Sequence, residues 1–398
     1  MIAEAFAAET VVPKTLDEAA AAMREGARNG STVAFFGGGT EFGYGRAPDR
    51  VGMLLKTEKL DKVVDYAPAD MTITVQAGVT LAALQRTLAV NNQRLALDAP
   101  QPERATLGGL LAANTYGPLR ARYGTLRDLI VGIEMIRADG SRARGGGKVV
   151  KNVAGFDLPK LLVGSLGTLA CIATATFRLH PFPERRQWLS VSGRSLDEVR
   201  IVCRAVVQHQ IEPAALLAAY DGDSYTLYAL FEGFGPAVTA QEMKFAALAA
   251  ELFVTEVLAL EDEAEPAGRD AQTRVFGSVR LRLSVPPAAL PLLERDVLGK
   301  MRAAFEDSRL VVYPSLGIAF LSGFPGDAAP FVAELERARA RVEAGGGHLV
   351  LLECADPVVR GRVDPFGTPP ESFPIMQRLK ERFDPDRRLN PGRFVGGI

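Results

Sequence analysis

Cysteine is nearly missing from this 398-residue chain, and its scarcity excludes several chemistries at once. Cys171, Cys203 and Cys354 lie too far apart for a disulfide framework, a zinc site or an iron–sulfur spacing. They point to a reducing, cytoplasmic setting. An excess of one charge is also lacking: 46 Lys and Arg against 47 Asp and Glu leave a net charge of -1. A polyanion would find no electrostatic footprint, so nucleic acid is not an expected partner. No uninterrupted apolar run reaches the ~18 residues that a membrane-spanning helix needs. The opening MIAEAFAAETVVPK carries acids and has no basic start followed by an apolar segment. Contact with a membrane is therefore expected only through a partner.

What the chain does have is glycine, 39 residues of it, and 47% hydrophobic side chains, enough for a large core divided between two domains. Strand and helix signals alternate. Thr15 with Glu18, and Ser195 with Glu198, read as capping boxes, and Thr80 as an N-cap. Strands are expected at 32–36, 62–66, 71–76, 129–137 and 169–179, helices at 16–29 and 81–91. The Pro181-Phe182-Pro183-Glu184 punctuation reads as a linker. Beyond it, strands at 188–191 and within 216–231, a helix at 195–208, another near 237–252, and a further alternation from 278 to 353 suggest a second α+β layer. No exact internal repeat is visible.

The stretch FFGGGTEFGYGR, Phe35 to Arg46, runs a strand into consecutive glycines, the mark of a backbone approached very closely. It is not a dinucleotide-binding turn: Gly43-Tyr-Gly45-Arg-Ala-Pro48 has proline where the third glycine belongs. Nor is there a Walker loop, since Gly147-Lys148 is followed by Val149 and preceded by Arg142 at the first glycine position. Each cluster taken singly reads as an ordinary turn. Together, Gly37–Gly39, Gly108-Gly109, Gly117, Gly124 and Gly164 to Gly167 suggest one long phosphate-containing ligand held by backbone N–H groups.

Five ordered motifs then carry a resemblance: GGGTEFG (37–43), ATLGGLLAANTYG (105–117), RYGTLRDLIVGIEMI (122–136), KNVAGFDLPKLLVGSLGTLACI (151–172) and FDPDRRLNPGRF (383–394). In these the chain resembles flavoproteins of the vanillyl-alcohol oxidase/p-cresol methylhydroxylase type, and within them the E subunits of bacterial glycolate oxidases. The resemblance implies an α+β fold: a two-subdomain FAD-binding domain at 1–183, an α+β cap with an antiparallel sheet at 184–374, and a segment, 375–398, that returns to the FAD domain. It implies that Phe36, Gly37, Gly38, Gly39, Thr40 and Glu41 wrap the FAD diphosphate. Thr106, Gly108 and Gly109 would lie along the cofactor, with Asn114 and Gly117 behind. Gly164, Ser165, Gly167, Ala170 and Ile172 would approach its ribityl and adenine end, and Asn390 belongs to the returning segment. Leu166 and Ala170 stand where relatives often carry Glu and Gly. Thr40 replaces the histidine through which some relatives bind FAD covalently, so non-covalent FAD is expected.

Oxidising a 2-hydroxy acid requires a cation for the carboxylate and a base for the hydroxyl proton. Arg120, Arg122, Arg362 and Arg393 are candidates for the first, and His348 for the second; each also reads as an ordinary structural residue. The paired-histidine metal motif of relatives that oxidise hydroxy acids alone is missing, and no metal is expected. Two readings stay open: a subunit of a small 2-hydroxy acid oxidase or dehydrogenase, glycolate being the implied substrate, or a non-catalytic flavin-bearing module for electron transfer and assembly. The implied partners are a flavin-containing D-type subunit and an iron–sulfur F-type subunit. The apolar run Tyr225 to Phe234 is a candidate partner surface, and also reads as a buried strand.

Overall fold

The computed structural model describes residues 7–46, 51–148, 156–253, 257–260 and 277–398. The first five residues of the fourth motif, Lys151 to Gly155, lie outside them. The fold is α+β, as expected, and divides into two compact units. One comprises residues 1–116, 124–181 and 368–398, the other 117–123 and 182–367.

The first unit contains two main sheets and a short antiparallel pairing of Gln93–Arg94 with His180–Pro181. Ala7–Val11, Val51–Lys56 and Val33–Phe36 form a parallel sheet in that spatial order. Val63–Ala67, Thr72–Gln76, Cys171–Arg178, Ile130–Ile136 and Arg142–Gly146 form an antiparallel one. Cys171–Arg178 feeds two cores: Ile172 packs with Leu107, Leu110 and Leu162, whereas Cys171 and Ala173 pack with Met23, Met53 and Leu389. Helix Leu16–Arg28 buries Ala19, Ala20 and Met23. Its N-cap, Thr15, accepts from Glu18 N as expected, but the Glu18 carboxylate takes the N–H of Lys14 at 2.7 Å, one residue before the cap. The C-terminal segment joins the parallel sheet, with Val33 N donating to Arg388 O at 2.7 Å and Asn390 N to Val33 O at 2.8 Å.

The second unit is built around one eight-stranded antiparallel sheet. Its chain order is a repeated β-α-β-β-α-β module. The first module runs Arg185–Arg194, helix Leu196–Gln208, Ala215–Tyr220, Tyr225–Gly233, helix Gly235–Phe253, Leu258–Leu260. The second runs Val279–Ser284, short helical turns within 287–303, Phe305–Tyr313, Ile318–Pro325, helix Ala328–Ala344, His348–Cys354. In space each module orders its strands fourth, first, third, second, and the two second strands pair, Ala218 opposite Val312. This repeat of topology leaves no repeat in sequence. Ser195 and Glu198 complete a capping box that starts a regular 13-residue helix, whereas Pro286, Pro287 and Pro291 break the corresponding segment of the second module into 3₁₀ and π turns.

Of the two readings of the Tyr225 to Phe234 run, the structure shows the buried strand, not a partner surface. Strand Tyr225–Gly233 lies inside the sheet, paired on both sides, and Tyr225, Leu227, Ala229 and Phe231 enter the core. Only Phe234, just past the strand, is exposed. A strand with two neighbours has no free edge to offer, and its face carrying Tyr225 and Phe231 lies in the core.

Candidate cofactor-binding site

Four segments of the first unit, with Thr57 and Ala77 between them, line one cleft: Phe35–Phe42; Thr106, Gly108 and Gly109 at the start of helix Leu107–Ala113; Leu166, Gly167 and Ala170–Ile172; and Asn390 with Arg393. The cleft holds about 720 Å³ of atom-free space, with the open solvent at its mouth included.

The glycines of the first loop are demanded by the protein's own packing. A Cβ on Gly37 would land on the Thr106 hydroxyl, and one on Gly38 on the Arg104 carbonyl oxygen, so this loop lies hard against the segment that starts the helix. Gly39, at φ +72°, occupies the left-handed region that side chains disfavour. The loop's carbonyls are held by two arginines. Arg104 donates to Gly38 O at 3.3 Å, and Arg393 to Glu41 O at 3.2 Å and Phe42 O at 2.7 Å. Arg393 also sits 4.9 Å from the Phe42 ring centroid. Burial pushes its pKa down to about 10 while the Glu41 carboxylate acts the other way, so it remains a cation at neutral pH.

The loop's N–H groups are in the opposite condition. Those of Gly37, Gly38, Gly39 and Thr40 donate to no acceptor among the described residues. Successive unbonded donors in a glycine turn, at the wall of a cleft, form a concavity suited to an anion. The nearby helix start does not share this role, because Leu107 N donates to Val79 O, Gly108 N to Ala77 O and Gly109 N to the Thr106 hydroxyl. Those residues supply wall. Asn390 supplies an acceptor: 2% exposed, it donates through Nδ2 to Leu166 O at 2.8 Å, and its Oδ1 is buried with no partner. A ligand N–H or O–H would satisfy it.

Residues 7–146 match the family described as FAD binding domain. Over that part of its length the chain is similar to FAD-binding domains. The donors of the glycine loop fit the diphosphate of FAD, and Asn390 Oδ1 fits one of its polar hydrogens. A D-lactate dehydrogenase of Archaeoglobus fulgidus is 28% identical over 97% of this chain and 90% of its own length. Glycolate oxidase subunit GlcE of Escherichia coli is 26% identical, covering 84% of this chain and 85% of its own. Among solved structures, alkyldihydroxyacetonephosphate synthase matches with a TM-score of 0.74 at 15% identity, covering 97% of this chain and 77% of that one. That likeness is one of fold.

The first unit gathers Phe36 to Glu41, Thr106, Gly108, Gly109, Gly167, Ala170, Ile172, Asn390 and Arg393 at one cleft. It leaves other candidates elsewhere. Asn114 caps the end of helix Leu107–Ala113 at φ +51°. Gly164 and Ser165 line a separate apolar cavity with Leu161, Met376 and Phe394. Gly117 and Arg122 group with the second unit, where Arg122 is exposed and donates to Glu212 O. His348 is exposed at the start of the sheet's edge strand, opposite Ser284. Among the described residues no three His, Cys, Asp or Glu are placed to hold a metal ion, and no helix is long and apolar enough to cross a membrane.

Sequence reasoning passed over Cys171, which borders the cleft while its thiol is buried in the core and pushed up to about 12 by burial. It also passed over Arg280 and Arg282 of the second unit. Their strand places Leu281 and Leu283 in the helix-covered core, so the two arginines occupy the other face, and Arg280 is 6% exposed. Alternation of Arg and Leu in VRLRLS reads as an ordinary half-exposed strand, and nothing local signals otherwise.

Proposed function

We propose that this chain is the FAD-binding subunit of an oxidoreductase complex that oxidises a small 2-hydroxy acid, glycolate first, with a D-type flavin subunit and an iron–sulfur F-type subunit as partners. The observation that carries the reading is the row of unbonded N–H groups beside Asn390, in a chain matched nearly end to end by a protein named for D-lactate oxidation. Bound FAD would supply the hydride acceptor for the acid's C2 hydrogen. The chain's residues supply the rest. The Gly37–Thr40 donors hold the diphosphate, charged Arg393 fixes the loop that presents them, and Asn390 orients the cofactor. The attachment is non-covalent, because Thr40 has no nucleophilic nitrogen and a thiol held protonated at Cys171 is a poor nucleophile.

A second reading, a flavin-bearing subunit for electron transfer and assembly, is favoured by the exposure of His348 and Arg122. Anaerobic addition of glycolate or D-lactate to the native complex, followed by its flavin absorbance at about 450 nm, tests the proposal. Bleaching in the complex, with little turnover by the isolated chain, is expected. Bleaching that survives removal of this chain's FAD supports the second reading, and no bleaching with either acid overturns the first.

A further inference from the structure

We infer that Lys380 is a positioning residue for the FAD cleft, acting through Asp384 and the chain around it on Asn390. The inference rests on the FAD reading above. Lys380 is 1% exposed and Asp384 fully buried, a placement that charged residues take only when paired. The Lys380 ammonium uses its three hydrogens on three acceptors: Asp384 Oδ2 at 2.7 Å, Thr168 O at 2.8 Å and Leu389 O at 3.0 Å. Thr168 follows the cleft residue Gly167, and Leu389 precedes Asn390. One ammonium thus ties together the two segments that meet at the bond from Asn390 Nδ2 to Leu166 O.

The carboxylate of Asp384 shapes the same corner. It accepts from Arg388 N at 3.1 Å and Leu389 N at 2.7 Å, holding the turn from which Asn390 emerges at φ +40°. Tolerance there is small, since a Cβ on Gly167 would come within 2.5 Å of Asn390 Nδ2. An apolar side chain at 380 could fill the volume but could not hold two carbonyls and a carboxylate in register. The hub therefore does more than anchor a helix: two of its bonds end one residue from the cleft wall.

A double-mutant cycle on FAD affinity tests this, using the full chain stripped of flavin and titrated with FAD. Asn390→Ala and Lys380→Met should each weaken binding about tenfold, as loss of one satisfied buried acceptor would. The double variant should be little weaker than either single variant, because the second change removes what the first has already misplaced. Multiplying effects, or wild-type affinity in Lys380→Met, would overturn the inference. If Lys380→Met does not fold, Asp384→Asn replaces it in the same cycle with the same expectation. A purely structural role would lower the melting temperature of the flavin-free chain without coupling to Asn390. A wild-type chain that binds no FAD sinks the cofactor reading itself, whereas FAD binding with multiplying effects sinks only this inference.

Discussion

The side-chain amide of Asn390 donates to the carbonyl of Leu166 over 2.8 Å, joining positions 224 residues apart in sequence. A wall of the cleft is thereby made from residues 390 and 166, far apart in the chain. The cleft draws on four such segments, none of which is a nucleotide motif by itself. The Walker and Rossmann patterns place most of their donors on one contiguous loop and helix start. Here the helix start spends its donors on protein carbonyls, and a separate glycine loop keeps its own unbonded.

The two sets of glycines should therefore respond differently to substitution. A Cβ on Gly38 collides with the Arg104 carbonyl, whereas one on Gly109 has only the Thr106 hydroxyl within 4 Å, at 3.2 Å. Gly109→Val is expected to fold with nearly unchanged stability, since valine in a helix is no worse than glycine, and to lose FAD affinity by more than about tenfold through filling the cleft. Gly38→Val is expected to lose both affinity and stability, because the loop must part from the 104–106 segment. Thermal melts of the flavin-free proteins beside FAD titrations check this; stoichiometric FAD in Gly109→Val would refute the assignment of the wall.

These contrasts mark what was legible in the sequence. Caps at Thr15, Thr80 and Ser195 could be read because their partners lie three residues away. The close approach at Gly37–Gly39 could also be read, since only glycine permits it. What comes close could not: at Gly38 it is the Arg104 carbonyl, a contact set by tertiary packing. The Tyr225 strand looked the same whether exposed or buried until its two neighbours were placed. Arg280 and Arg282 stayed hidden because their environment depends on strands far away in sequence. The Thr125–Asp128 capping box went unread because the four-residue helix it starts has no periodicity of its own.

Thiol burial predicts how stability depends on pH. Cys171 is held protonated in the fold, pushed up to about 12 by burial, against 9.0 for an ordinary thiol; Cys203 is raised likewise. The folded state then binds more protons than the unfolded one between those values. The associated stability is present below about pH 9 and lost as pH rises towards 12, at up to about 1.4 kcal/mol per pH unit for each thiol. Urea unfolding at pH 8 and pH 10.5 should show a smaller loss in Cys171→Ala than in wild type. Equal losses would mean that Cys171 ionises freely in the folded protein.

The account stands or falls on what the cleft binds and how, and the flavin released by acid measures both. Purified full-length protein, precipitated with acid and centrifuged, should leave about one FAD per chain in the supernatant over a colourless pellet. A yellow pellet would contradict non-covalent attachment. A chain that yields no flavin and takes up none when FAD is added back would contradict the account at its centre.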